Sequence, residues 1–219
     1  MTGALSKSAS SITIKVIIVL TAAVGGAGLV ASNVFAALTA TATNTSGGSV
    51  TTGTLSLTLA PSSVTGITGG FTTAITAMGP GDTVNRYIDL TNGGTLDGAS
   101  PTLQLAGSPS TTLTTSSTAG LQITISNCTV AWTNTGTCSG TTTTVLASTP
   151  ASTLATAQAI TLPSNLAGSV SRLKIGIALP AGTENVVNGV LPGGTVQGLT
   201  TAITWSFAIA ERAATTTNS

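Results

Sequence analysis

Histidine is absent from all 219 residues of this sequence. That absence excludes Ser-His-Asp triads and every metal site built on imidazole. Charge is nearly as scarce: six Lys and Arg stand against five Asp and Glu, for a net charge of +1. A nucleic-acid binder needs clustered cations to meet phosphates, so no nucleic-acid partner is expected. Low charge also favours association between copies over a well-solvated monomer. Cysteine occurs only as Cys128 and Cys138, without a CxxC spacing and with no cation between them, which argues against redox chemistry. No helix-length amphipathic pattern occurs outside the N-terminal apolar run, and no cofactor motif is present.

What the chain does have is short strands. Hydrophobic residues make up 41% of it and recur at strand spacing, which argues against disorder. Leu55, Leu57 and Leu59 alternate with Thr and Ser up to Pro61. Phe71 to Ala77 reads as a second strand. Leu103 and Leu105 mark another, opened by Pro101, and a Ser/Thr loop runs from Ser108 to Gly120. Leu121, Ile123 and Ile125 resume the alternation, and Ala157 to Leu162 forms an apolar strand ending at Pro163. Leu173, Ile175, Ile177 and Leu179 give the clearest amphipathic strand, and Ile203, Trp205, Phe207 and Ile209 form the aromatic face of the last one. Strands at turn-separated intervals predict an all-β fold, a two-sheet antiparallel sandwich of the jelly-roll kind, in one domain over residues 50–212. Residues 213–219 are expected to form a flexible tail.

The N-terminus has the layout of a signal peptide: Lys7 and Lys15, then an apolar run from Val16 to Val30. The run through Ala37 is long enough to span a bilayer as an anchor. Gly25, Gly26 and Gly28 and the small residues that follow favour cleavage instead, between Ala36 and Ala37, by a membrane signal peptidase. The chain is therefore expected to be secreted, and its two cysteines, Cys128 and Cys138, to form a structural disulfide. After residues 1–36, residues 37–49 begin with Ala37, Leu38, Thr39, Ala40, Thr41, Ala42 and Thr43, a strand with a thin apolar face, followed by a Gly/Ser tether. Residue pattern alone allows two readings, a loosely ordered N-terminus or a strand donated to another subunit.

From Gly79 to Gly98 one alternating strand lies between two turns, Pro80-Gly81 and Asn92-Gly93-Gly94. Val84, Arg86, Ile88 and Leu90 share one of its faces. Asp82 is read as a turn residue bonding nearby amides, and Arg86 as a side chain packing its stem at the sheet edge with its head in water. A salt bridge from Arg86 to Asp89, Glu184 or Glu211 is the sharper alternative. Asp82 and Asp89 are an odd number of residues apart, on opposite faces, so they are not a general acid and base pair. Asn44 and Asn127 sit in glycosylation sequons.

This segment resembles the TasA and camelysin group of secreted proteins. The matching residues are Pro80, Gly81, Asp82, Asn92, Gly94, Thr95 and Leu96, with GTLSL at Gly53 to Leu57 upstream and TWSFAIAE at Thr204 to Glu211 near the end. The resemblance implies that residues 37–43 are a donor strand, and that the protein polymerises head to tail with copies of itself into extracellular fibres in a biofilm matrix or at a cell surface. Other secreted matrix proteins would be further partners. It also implies a rival, since the camelysin branch is classed as metallopeptidase; no HExxH motif supports that reading here, and no catalytic, cofactor-binding or metal-binding residue is assigned. A monomeric surface adhesin, its first strand folded into its own sheet, is the other alternative.

Overall fold

The computed structural model describes residues 51–62, 64–182 and 187–216. The expected signal peptide, cleavage site, N-terminal strand and the first sequon lie outside the described residues. Among the described residues eight strands follow one another: β1 (Leu57–Pro61), β2 (Thr83–Asn92), β3 (Gly98–Ser108), β4 (Gln122–Cys128), β5 (Thr142–Pro150), β6 (Gln158–Ala159), β7 (Val170–Ala178) and β8 (Ala202–Glu211). One helical turn, α1 (Thr112–Thr115), interrupts the Ser/Thr loop before β4. The strands form two antiparallel sheets, ordered β1-β2-β7-β4-β5 and β6-β3-β8, the layers of the expected sandwich.

Alternation dictates what lies between the layers. Ile88 and Leu90 of β2, Leu173, Ile175 and Ile177 of β7, and Ile123 and Ile125 of β4 point inward from the larger sheet. Leu103 and Leu105 of β3 point inward from the smaller one, and Leu154, Ile160 and Leu162 close one side from the β5–β7 connection. The opposite face of β7 carries Arg172 and Lys174, as period two requires.

Strand pairing explains the wiring. In a jelly roll a folded hairpin is rolled up, so the second strand pairs with the seventh, the third with the sixth, the fourth with the fifth, and the first with the eighth. Here β2 pairs with β7, β3 with β6 and β4 with β5. The last pair is missing: β1 lies on β2 instead, and among the described residues no strand lies on the outer edge of β8.

Four expectations are corrected. Phe71 to Ala77 pairs with no strand. The edge of β2 is already taken by β1 up to Pro61 and then by the loop at Thr68–Gly70, where Tyr87 N–H donates to Thr68 O (3.1 Å) and Gly70 N–H to Tyr87 O (2.9 Å). The segment leaves the sheet and packs Phe71, Ile75 and Met78 against the core. Strand β3 begins three residues before Pro101, which is tolerated because the β3–β8 register shifts between Ala99 and Thr102. The apolar strand at Ala157–Leu162 shrinks to the two residues of β6, although Ile160 and Leu162 are buried. Arg86 is not solvated but 6% exposed. Its position on the inward face of β2 aims the guanidinium between the sheets, where it donates to Thr73 O (3.0 Å) and Asn85 O (3.3 Å).

Ile175, fully buried on β7 between β2 and β4, should cost about 2 to 5 kcal/mol when replaced by Ala. Val190, 67% exposed, should change stability by no more than about 0.5 kcal/mol under the same replacement. Urea unfolding midpoints of the two variants check the contrast.

Candidate functional site

The resembled turn residues fall into two groups at opposite ends of β2, separated by that ten-residue strand, about 30 Å at strand rise. They do not form one site. At the first end, Pro80 and Gly81 turn the chain, with Gly81 at φ +92, and Asp82 N–H donates to Gly79 O (3.0 Å). Asp82 Oδ2 accepts from Gly79 N–H (2.7 Å), so its carboxylate bonds a nearby backbone amide. The turn is tied to the exit of β7, because Gly81 N–H donates to Leu179 O and Leu179 N–H to Asp82 O, both 2.9 Å.

At the other end Asn92 is a clamp. Only 4% exposed, it donates through Nδ2 to Leu96 O (2.9 Å) and Asn165 O (3.0 Å), and accepts at Oδ1 from Gly94 N–H (3.1 Å). Its own N–H and carbonyl bond Ser169 O (3.0 Å) and Gly168 N–H (2.7 Å). Next to it the chain entering from the N-terminus is gripped. Gly93 N–H donates to Ser56 O (2.8 Å), Thr95 N–H to Thr54 O (2.8 Å), and Thr95 Oγ1 accepts from Thr54 N–H (2.9 Å). A Cβ on Gly94 would run into the Thr54 carbonyl and the Ser56 amide, and one on Gly53 would strike the Leu96 side chain. The two sequence blocks GTLSL and NGGTL, about forty residues apart, are therefore the two halves of one contact. Sequence reasoning named both and missed their pairing; the adjacent glycines, which permit backbones to approach, were the available signal.

Outside the larger sheet lies a second apolar cluster. Cys128 and Cys138 form the disulfide, and the loop between them folds back to bury Trp132, whose indole N–H donates to Arg172 O (3.1 Å). Tyr87 meets Trp132 edge-on at 5.7 Å, and Lys174 Nζ lies 4.9 Å from the indole centre. Gly136, at φ +74, leaves room for the Tyr87 hydroxyl that any side chain there would fill. Burial pushes the Tyr87 hydroxyl pKa up and the Arg86 guanidinium down. Burial also pushes the Asp89 carboxyl up, against the opposing pull of Arg172 on the facing strand. The sequon residue Asn127 is buried, leaving no room for a glycan in the folded chain.

The sheet edges differ sharply. Strand β1 has five residues and ends on Pro61; β5 ends on Pro150 and its pairing with β4 is broken by register shifts; β6 has two residues. All three are blunted in the ways that discourage edge pairing. Strand β8 has ten residues, no Pro, no Gly and a single charge, at Glu211. Its outer backbone edge makes no hydrogen bond to any described residue. Its inward row, Ile203, Trp205, Phe207 and Ile209, is only half-buried, although Ile203, Trp205 and Phe207 pack on the core.

A cavity of about 250 Å³ opens beside Leu105, Gly107, Thr114, Ala151 and Ile203, lined by apolar and hydroxyl groups without a carboxylate, amine or thiol. The acids are dispersed: Asp82 is held in its turn, Asp89 faces Arg172, and Asp97 Oδ1 accepts from Ala167 N–H (2.9 Å).

A protein-family model described as camelysin metallo-endopeptidase matches residues 11–122, just over half of the chain. The match takes in both halves of the Asn92 contact and the Pro80 turn, and stops at the start of β4. No curated protein matches the chain. The metal implied by the family description does not fit the residues present. Histidine is absent, both cysteines are oxidised, and among the described residues no three acids or cysteines converge.

Asn92→Ala strips the Gly94 amide and the Leu96 and Asn165 carbonyls of their partner, and should cost about 2 to 4 kcal/mol in urea unfolding. The raised Asp89 pKa gives a sign for acid behaviour. The folded state holds this proton more tightly than the unfolded chain, so its contribution is complete below the ordinary value, about 3.9, and is lost as pH rises through the raised one. Asp89→Asn should remove that part of the pH slope, as read from unfolding midpoints across the carboxylate range.

Proposed function

The chain belongs to the camelysin metallo-endopeptidase family, and from that premise we propose that it is a structural member: a secreted subunit that polymerises head to tail into extracellular fibres. Membership in this family supports a secreted, matrix-related protein, and among the described residues no helix is long and apolar enough to cross a membrane. The observation that carries the polymer reading is the open edge of β8. In jelly-roll wiring that edge is the place of the first strand, and here nothing among the described residues fills it. A partner strand adding there would pair the exposed N–H and C=O groups and cover Trp205, Phe207 and Ile209.

The segment Ala37–Thr43 has the chemistry of such a partner. It alternates Leu38, Ala40 and Ala42 with Thr39, Thr41 and Thr43, so one face is apolar and the other is satisfied by water. A strand supplied by one copy to the edge of the next is a heterologous contact that does not close, and it grows into a filament. Uncleaved, the same segment would be held beside the membrane, which makes signal cleavage the step that releases subunits for assembly. A peptidase function has no comparable support, because the donor set does not fit a metal.

Electron microscopy of the chain beginning at Ala37, beside one beginning at Ser49, tests the proposal. Filaments from the longer chain and monomers from the shorter one are expected. Filaments from both would remove the role of residues 37–43, and monomers from both would favour a surface domain with its first strand folded into its own sheet.

A further inference from the structure

A second stretch of unpaired backbone reaches β8 through a ring contact. Residues 71–78, FTTAITAM, alternate as a strand does, yet they join no sheet. A single hydrogen bond ties them to the other described residues, from Arg86 Nη2 to Thr73 O. Their side chains hold them in place: Phe71 stacks on Trp205 of β8 at 4.6 Å with the rings 8° from parallel, and Ile75 and Met78 pack on the core. The segment is held by its side chains, bends at Phe71 and Thr73 and has Ala77 at φ +54, so it would have to straighten to join a ladder. Arg86 is the only cation buried in the described structure, and it is spent on fixing this segment through a carbonyl rather than on a carboxylate.

We infer that residues 71–77 are a latent strand, the second wall of the slot beside β8, and that an incoming strand from another copy pairs with β8 on one side and with residues 71–77 on the other. This rests on the strand-addition reading above and goes beyond it, since it names a two-walled acceptor. It also accounts for the thin apolar face of Ala37–Thr43. With Phe71 and Trp205 already stacked across the slot, a strand lying between their backbones has room inward only for small groups such as Ala40 and Ala42. The inserted strand would have both edges hydrogen-bonded, as a strand in the interior of a sheet has.

Hydrogen exchange read by mass spectrometry on one preparation, before and after assembly, separates the possibilities. In the free subunit the amides of residues 72–78 should exchange fast. In the filament those of residues 71–77 and of β8 should both slow by about two orders of magnitude or more. Slowing in β8 alone would overturn the two-walled slot and leave strand addition standing. Slowing in neither, or a preparation that never assembles, would overturn both. Thr73→Pro and Ala74→Pro supply the second arm. Neither amide is bonded to a described residue in the free subunit, so neither variant removes one of its hydrogen bonds, and the melting of each is measured beside its assembly. Neighbouring amides point to opposite sides of a strand, so one of the two variants removes a ladder donor and should impair assembly. Wild-type assembly by both would overturn the proposal.

Discussion

A β-strand carries as many hydrogen-bonding groups along its edges as a helix carries inside, and each needs a partner, water or an obstacle. The whole arrangement of this protein turns on where that requirement is left open. Three of its four sheet edges are short, proline-ended or irregular. The fourth, β8, is long and plain, with the most aromatic inward row of the molecule only half-covered. A chain with this little surface charge has little electrostatic repulsion to keep such an edge from pairing.

The rest of the fold holds that edge in position. Among the described residues strand β8 is anchored on one side only, by its ladder to β3, and the turn that begins β3 is the one Asn92 organises. The same turn grips residues 53–56 through hydrogen bonds to Thr54 and Ser56. At the far end of β2, Asp82 and Gly81 fasten the turn to the exit of β7. The family-matched residues thus serve the frame, at both ends of one strand, and the open edge is formed by residues beyond the matched region.

Much of the fold was legible in the sequence because period-two alternation survives burial. The inward rows of β2, β4, β7 and β8 are the alternating sets read from the residues. The disulfide was legible from its cysteine count. Arg86 was not, since alternation placed it on the inward face while its charge argued for water. Burial won because two backbone carbonyls could be brought to the guanidinium, one of them from a segment thirteen residues away. Phe71 to Ala77 misled in the opposite way: its pattern is that of a strand, and pairing depends on a neighbour that periodicity cannot supply.

Composition and alternation by themselves determined an all-β sandwich, a structural disulfide, tight turns at both ends of β2 and the absence of imidazole chemistry, because each follows from local sterics or from which side chains exist. Tertiary structure alone decided that β1 would lie on β2, that Asn92 would join two distant sequence blocks, and that no described strand would cover the outer edge of β8. Those are outcomes of competition among strands for partners, and a strand's own residues encode its faces but not which edge it will find.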